Sequence, residues 1–336
     1  MRILVTGGSG LVGKALEDLV IYEDLAYIQN ENQWRFLSSK DVNLLNYDET
    51  LQYFKMYNPQ IVVHLAARVG GLFNNMRHNE AMLVDNLTMN INVIKASEEC
   101  NVKRLILMLS TCIFPDNICK LPLTEEMIHN GPPHYSNEGY AMAKRILEIH
   151  ARLSKLETIC LIPTNLYGMY DNFSICDGHV IPALIHKCYI SKKCGQQFLI
   201  SGNGTAKRQF LYNGDMAKII KWAIEKKNVE NNHELFICAP DESEEIDINT
   251  IARLIAKSMN YENEFLSNKH SNYNIRKTSF VSTNSIQSQD GQIRKTASNK
   301  HLKEAFPELK FSNLEEKIQK TVDWFITYYD SDIVRK

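Results

Sequence analysis

The sequence has no apolar stretch of the roughly 18 residues that a membrane-spanning helix needs, so no spanning segment is expected. It has no C-x-x-C pair. Its eight cysteines (Cys100, Cys112, Cys119, Cys160, Cys176, Cys188, Cys194 and Cys238) are scattered, which is neither a zinc pattern nor a small disulfide framework. No metal site is expected, and the thiols read most simply as reduced cysteines of a cytoplasmic protein. Neither sign of charge is in excess: 38 basic and 39 acidic residues leave a net charge of −1. A dedicated nucleic-acid binder would be basic, so a basic patch here would serve a small anion. No internal repeat is evident. The chain opens directly on strand-like Arg2-Ile3-Leu4-Val5, so no cleavable signal is expected. A length of 336 residues suits one large or two unequal domains with a real core.

What is present begins with glycine. The apolar run 2–6 ends in Thr6-Gly7-Gly8-Ser9-Gly10-Leu11-Val12-Gly13, and a helical pattern follows with Leu11, Ala15, Leu16 and Leu19 on one face. Strand, glycine turn and helix form the context in which such a turn binds a dinucleotide. The glycines let backbone approach a pyrophosphate, and the helix N-terminus faces the phosphates. A second strand over 34–37 ends in Ser38-Ser39-Lys40-Asp41. NAD enzymes usually place an acid at this strand end for the ribose 2′-hydroxyl. Two hydroxyls and a lysine stand there instead, which favours a 2′-phosphate and hence NADPH, with Asp41 one residue further on.

A helix over 47–57 leads to a third strand, 61–65, followed by Ala66 and Ala67, small enough for a cofactor to pass closely. His64, inside an apolar run, reads as a core histidine. A long helix near 80–100 precedes a fourth strand, 104–109, that ends in Ser110-Thr111-Cys112. Ligands of open α/β sheets bind beyond the carboxyl ends of the strands, which places Ser110 and Cys112 for chemistry. A fifth strand, 158–162, ends in Pro163-Thr164-Asn165-Leu166. Alternating strands and helices predict an α/β fold of Rossmann type, a doubly wound parallel sheet over 1–168. Later segments could return to it. Residues 169–336, richer in helices, would form a smaller α/β lobe that binds substrate. The stretch 261–289, rich in Asn, Ser and Lys, reads as a surface loop or an insertion.

Tyr140 and Lys144 are four apart in a helical stretch and so share a face. A nearby cation favours phenolate and would lower a tyrosine pKa from about 10. Such a pair transfers protons to an alcohol or ketone. Taken alone, Tyr-x-x-x-Lys is also a common surface pair.

In this order the glycine turn, Ser110 and Tyr140-x-x-x-Lys144 resemble the extended short-chain dehydrogenase/reductases. Further stretches narrow the likeness: His64-Leu65-Ala66-Ala67 with Val69-Gly70-Gly71-Leu72, Ser110-Thr111-Cys112-Ile113-Phe114-Pro115, and Met127-Ile128-His129-Asn130-Gly131-Pro132-Pro133-His134. Asp171-Asn172-Phe173, Gly178-His179-Val180-Ile181-Pro182, Asp290-Gly291-Gln292 and Lys295-Thr296-Ala297-Ser298-Asn299 continue it. Together they resemble the GDP-L-fucose synthase family along nearly the whole chain. The resemblance implies NADPH-dependent epimerisation at C3 and C5 of GDP-4-keto-6-deoxy-D-mannose and reduction at C4, giving GDP-L-fucose. It implies Cys112 as base, His179 as opposing acid, Ser110 and Tyr140 on the C4 oxygen, and Lys144 on the cofactor ribose. Leu65, Ala66, Ala67, Pro163, Thr164, Asn165, Leu166 and His179 would line the cofactor. Lys187, Arg208 and Asp290 would meet the nucleotide-sugar, as would Ser201, where the family commonly has tryptophan. A homodimer through helices near 80–100 and 140–155 is implied as well.

The runner-up is another nucleotide-sugar epimerase or reductase on the same scaffold. Dehydratases carry an Asp-Glu pair after the Ser/Thr site, and Cys112-Ile113 stands there instead. An inactive NADP-binding scaffold would be expected to lose Tyr140, Lys144 or Cys112, and all three are present.

Overall fold

Near-continuous apolar runs are what a parallel sheet covered on both faces requires. In the computed structural model, which describes residues 1–26, 32–117, 120–262, 266–267 and 293–336, those runs become strands. They are β1 (Arg2–Thr6), β2 (Gln33–Leu37), β3 (Ile61–His64), β4 (Arg104–Met108) and β5 (Glu157–Pro163). Between them lie α1 (Leu11–Ala26), α2 (Tyr47–Tyr57), α3 (Leu72–Arg77), α4 (Asn79–Glu99) and α5 (Glu138–Leu153). Successive residues of a strand point to opposite faces. Leu4, Val62, Leu105, Leu107, Cys160 and Ile162 accordingly pack with α2, α4 and α5. Ile3, Val5, Val63, Ile106, Ile159 and Leu161 pack on the other face, with α1.

After β5 come β6 (Asn165–Tyr167), α6 (Val180–Cys194), β7 (Leu199–Ile200), β8 (Lys207–Arg208) and β9 (Phe210–Tyr212). Then follow α7 (Asn213–Glu225), β10 (His233–Cys238), β11 (Ile246–Asp247), α8 (Ile248–Ser258), β12 (Leu266–Ser267), α9 (Lys300–Ala305) and α10 (Leu314–Tyr328). The sheet has six strands, ordered β2-β1-β3-β4-β5-β10 and parallel throughout. β10 is the strand that the sequence reading did not name. His233–Cys238 follows α7 and pairs with β5, and α7 joins α1 on the sheet. α6, α8 and α10 build a separate core from Ile185, Ile251, Ile255, Val322 and Phe325, with Phe173 from a loop.

The proposed loop over 261–289 falls almost entirely outside the described residues. Tyr261, placed at its start, is buried instead. Its hydroxyl donates to the Gln196 carbonyl (2.8 Å) and accepts the Phe198 N–H (2.9 Å), and its ring meets Phe198 edge-on.

The chain visits β2 on one side of β1 and β3 on the other. The crevice beyond the carboxyl ends of β1 and β3 is therefore the topological switch point, where ligands of such sheets bind.

Candidate active site

The glycine turn occupies that switch point. Gly7 has φ +70°, a left-handed conformation, and a side chain there would stand 2.6 Å from the Ala66 nitrogen. A Cβ on Gly13 would lie 2.5 Å from the Gly7 carbonyl oxygen, so α1 packs on the turn only with glycine at this position. Gly10 closes the turn by donating to the Gly7 carbonyl at 3.0 Å. Ser9, Leu11 and Val12 follow that backbone into α1, whose first turn carries no acidic residue. The uncompensated N–H groups and positive end of the helix dipole suit a pyrophosphate. Leu65, Ala66 and Ala67 line the facing side, with Ala66 donating to the Thr6 hydroxyl at 3.3 Å. A dinucleotide cofactor fits this cradle.

At the end of β2 the Asp41 carboxylate turns back onto its own loop. It accepts the Ser38 amide (2.8 Å) and the Ser38 hydroxyl (2.7 Å), and Arg35 stands 3.4 Å away. The Ser38 hydrogen bonds hold this carboxyl below the usual carboxylate range. The acid is engaged by its turn, while Ser39 and Lys40 are exposed.

Beyond β4, Ser110 opens a single helical turn over Thr111–Ile113, and its hydroxyl accepts the Cys112 N–H at 3.2 Å. This fixes the Cys112 backbone against the hydroxyl. The Tyr140 phenol hydrogen-bonds Ser110, and the Cys112 thiol is near enough to bear on it. The Lys144 ammonium lies 5.9 Å from the centre of the Tyr140 ring and donates to the Met108 carbonyl at 2.6 Å. Gly139 lets α5 approach this closely, for a Cβ there would lie 2.0 Å from the Asn79 carbonyl oxygen. Its N–H donates to the Asn79 side chain at 2.6 Å.

One electrostatic expectation is corrected. Burial pushes the Tyr140 phenol above its ordinary value, the Cys112 thiol adds to this, and only the Ser110 hydrogen bond opposes it. Burial meanwhile pulls Lys144 down to about 8. The ammonium is engaged by the Met108 carbonyl, and desolvation sets the direction of the phenol's shift. Tyr140 is thus a neutral phenol near pH 7, the form that gives a proton. His64 is the buried histidine expected: Nδ1 pairs with the Thr6 hydroxyl (2.8 Å) and Nε2 with the Asn90 amide oxygen (3.0 Å). Burial, with Lys144 nearby, takes it down to about 3, so it stays neutral.

Pro163, Thr164, Asn165 and Leu166 cross from β5 to β6, tied by Thr164 N–H to the Cys238 carbonyl (3.0 Å) and Asn165 N–H to the Gln209 carbonyl (3.3 Å). His179 caps the start of α6 and is exposed. It shares no hydrogen bond with the Cys112 cluster among the described residues. Lys187 donates to the Ser201 hydroxyl at 3.3 Å, bringing these residues together. Burial lowers Arg208, with Cys112 opposing the shift. Asp290 lies outside the described residues.

Lys295 is a site residue that the sequence placed in a motif without a role. Burial lowers its ammonium, Cys112 opposes that shift and Arg208 adds to it. The backbone around it is laced down: Lys207 N–H to the Ile293 carbonyl (2.9 Å), Leu123 N–H to the Thr296 carbonyl (2.8 Å) and Ser298 N–H to the Leu123 carbonyl (2.9 Å). A thiolate at Cys112 would face both cations. The signal available beforehand was Lys295-Thr296-Ala297-Ser298-Asn299 itself.

The NAD dependent epimerase/dehydratase family model matches residues 3–238. A GDP-L-fucose synthase of Dictyostelium discoideum is 41% identical over 98% of this chain and 96% of its own. A GDP-L-colitose synthase of Yersinia pseudotuberculosis is 30% identical over 99% of this chain and all of its own. The crystal structure of a GDP-L-fucose synthetase from Naegleria fowleri bound to NADP superposes with a TM-score of 0.86 at 37% identity, covering 100% of this chain and 95% of that one. The chain belongs to the NAD dependent epimerase/dehydratase family, on the branch that holds the GDP-L-fucose synthases.

Proposed function

We propose that this chain is an NADPH-dependent epimerase and reductase that converts GDP-4-keto-6-deoxy-D-mannose to GDP-L-fucose. The carrying observation is the Cys112 thiol beside Ser110 and Tyr140, with Arg208 and Lys295 bearing on it. A plain ketone reductase needs the hydroxyl, the phenol and the lysine; the thiol adds a base. Protons next to a ketone are acidic because an enolate is stabilised. Cys112 takes such a proton, Ser110 and Tyr140 hold the C4 oxygen, and His179 returns a proton on the opposite face. The same geometry serves C3 and C5 in turn. When bound, NADPH supplies the hydride that reduces C4. Tyr140 then gives its proton to the C4 oxygen, and Lys144 binds the cofactor ribose.

The cradle of Gly7, Gly10 and Gly13 would hold the pyrophosphate, with Ser38, Ser39 and Lys40 on the 2′-phosphate. Lys187, Ser201, Arg208, Lys295 and Asp290 would hold the nucleotide-sugar. We infer a homodimer through α4 and α5, supported by Val84, Ile146 and Leu153, which these helices leave exposed. Seven unpaired cysteines among the described residues support a reducing, cytoplasmic setting. The test is product analysis by NMR with GDP-4-keto-6-deoxy-D-mannose and NADPH in deuterated water. The doubly inverted, reduced sugar is expected; reduction without inversion would remove the epimerase half of the proposal.

A further inference from the structure

The segment that carries Ser110 and Cys112 is held at both ends by neighbouring cations of α5. At its start Lys144 donates to the Met108 carbonyl, and Leu109 N–H donates to the Leu161 carbonyl at 2.8 Å. At its end Arg145 Nε donates to the Ile113 carbonyl at 2.6 Å. Successive residues of a helix point about 100° apart, so these two side chains can straddle one segment. Ser110, Thr111 and Cys112 lie between the two anchors.

Arg145 has few partners for its depth. It is 7% exposed, and its only hydrogen bond among the described residues is the one to Ile113. Its Nη2 is buried without a partner. Arg104, 4% exposed, shows how a structural arginine is held in this chain: it pairs with Glu157 at 2.8 Å and donates to the Ala223, Ile224 and Lys226 carbonyls. Burying a cation with a single acceptor is costly, which points to a purpose beyond stability.

The turn shows that purpose. A short helical turn leaves its last carbonyls without partners of its own. Ile113 N–H closes on the Ser110 carbonyl at 3.1 Å and Phe114 N–H on the Thr111 carbonyl at 3.4 Å, so those two are met from within. The Ile113 carbonyl is met from outside, by a cation at the end of the turn that favours one. Ile113 is 0% exposed, so the guanidinium stands where water does not reach.

We propose that Arg145 is the positioning residue for Cys112: its bond to the Ile113 carbonyl fixes the far end of the turn and keeps the thiol in place against the sugar. The proposal rests on the base role given to Cys112 above. In that step the thiolate sulfur takes a proton from the carbon beside the ketone. An S–H bond forms as the C–H bond breaks, and the electron pair passes to the C4 oxygen as an enolate. Arg145 exchanges no proton. Ser110 sits nearer the Lys144 end and Tyr140 bonds to it, so reduction depends on Arg145 less than proton removal does.

The experiment separates the two steps. With NADP+ in place of NADPH no hydride is available, and deuterium entry at C3 and C5 of the keto-sugar in deuterated water reads proton removal alone. Arg145→Met should slow this entry at least about tenfold, while NADPH oxidation in a separate assay stays within about threefold. The bond is single rather than bidentate, so Arg145→Lys should recover most of the loss; a lysine variant as slow as the methionine one overturns the proposal. So does unchanged entry in Arg145→Met where Cys112→Ser has lost it. A second arm reads the thiol without turnover, by iodoacetamide labelling resolved by mass spectrometry. Cys112 should react at least about threefold faster in Arg145→Met, with exposed Cys176 and Cys194 unchanged. An unmoved Cys112 rate overturns the proposal. If Cys112→Ser keeps full deuterium entry while that labelling rate still rises, the base role fails and the hold of Arg145 on the turn stands. Should Arg145→Met not fold, proton NMR of the wild type decides: Arg145 Nε–H should exchange with water at least about tenfold more slowly than exposed arginines, and equal exchange overturns the bond itself.

Discussion

α5 buries Lys144, Arg145 and Glu148, and the first and last, one turn apart, meet opposite fates. Lys144, 1% exposed, has one carbonyl for a partner, and burial takes it down to about 8. Glu148, 2% exposed, is pushed up by burial, yet His233, His129 and Arg152 overcome this and hold it down to about 2. His129 Nε2 lies 2.8 Å from its carboxylate, Arg152 Nε 3.1 Å and His233 Nε2 3.5 Å. Both side chains are shielded from solvent; the count of partners differs. A buried charge with its partners in place is structure, while one left short of partners keeps a proton to exchange or a ligand to bind.

The sharpest way to break this contrast is at the catalytic end. Tyr140→Phe should lower the rate of NADPH oxidation by about a thousandfold, while thermal unfolding changes little because only a hydroxyl is lost. Stopped-flow absorbance of NADPH and a melting curve measure both. Cys112→Ser should reduce inversion by about a hundredfold or more, since a hydroxyl scarcely ionises. Reduction persists and the uninverted keto-sugar becomes the substrate for hydride transfer. Product NMR decides: doubly inverted sugar at the wild-type rate would return Cys112 to the role of a small buried thiol.

At the other end of the helix the effects should be reversed. Glu148→Ala should cost about 3 kcal/mol of stability, by denaturant melts, and leave turnover per folded molecule unchanged. The pH dependence has a definite sign. The folded value of Glu148 is below its ordinary 4.5, so its contribution is complete above that pH and is lost as pH falls toward 2. About 3 kcal/mol disappears over that window, and Glu148→Gln should flatten this limb of the stability curve. The smallest effect belongs to the exposed turn after β2. Lys40→Ala should lower efficiency with NADPH about tenfold and leave that with NADH alone, in steady-state kinetics. Equal efficiency of both cofactors in the wild type would reject the 2′-phosphate assignment.

Local chemistry made much of this legible. Continuous apolar runs showed the first five strands, and Gly7 and Gly13 showed the turn, because each demands a backbone that other residues resist. His64 showed its core role through its apolar neighbours. What the sequence withheld depends on return across distance. His233–Cys238 reads as an apolar run of either type, and nothing local says that it pairs with β5. Lys295 acquires its setting from Leu123, Lys207 and Arg208, which are remote in the chain. The direction of the Tyr140 shift was missed because helical spacing shows that Lys144 is near, and burial, which no spacing reveals, decided the outcome. Arg145 was visible only as the residue after Lys144; the carbonyl it meets belongs to the fold.

The late arrival of β10 has a consequence during synthesis. β5 is complete at Pro163, but the strand that covers its outer edge is not finished until Cys238. At ordinary elongation rates that interval lasts on the order of ten seconds. Throughout it, the nascent chain carries an apolar strand, Thr158 to Ile162, with an open row of amides and carbonyls. Such an edge is a template for pairing with another chain. The part of the molecule most exposed to aggregation is therefore one that the finished protein buries completely.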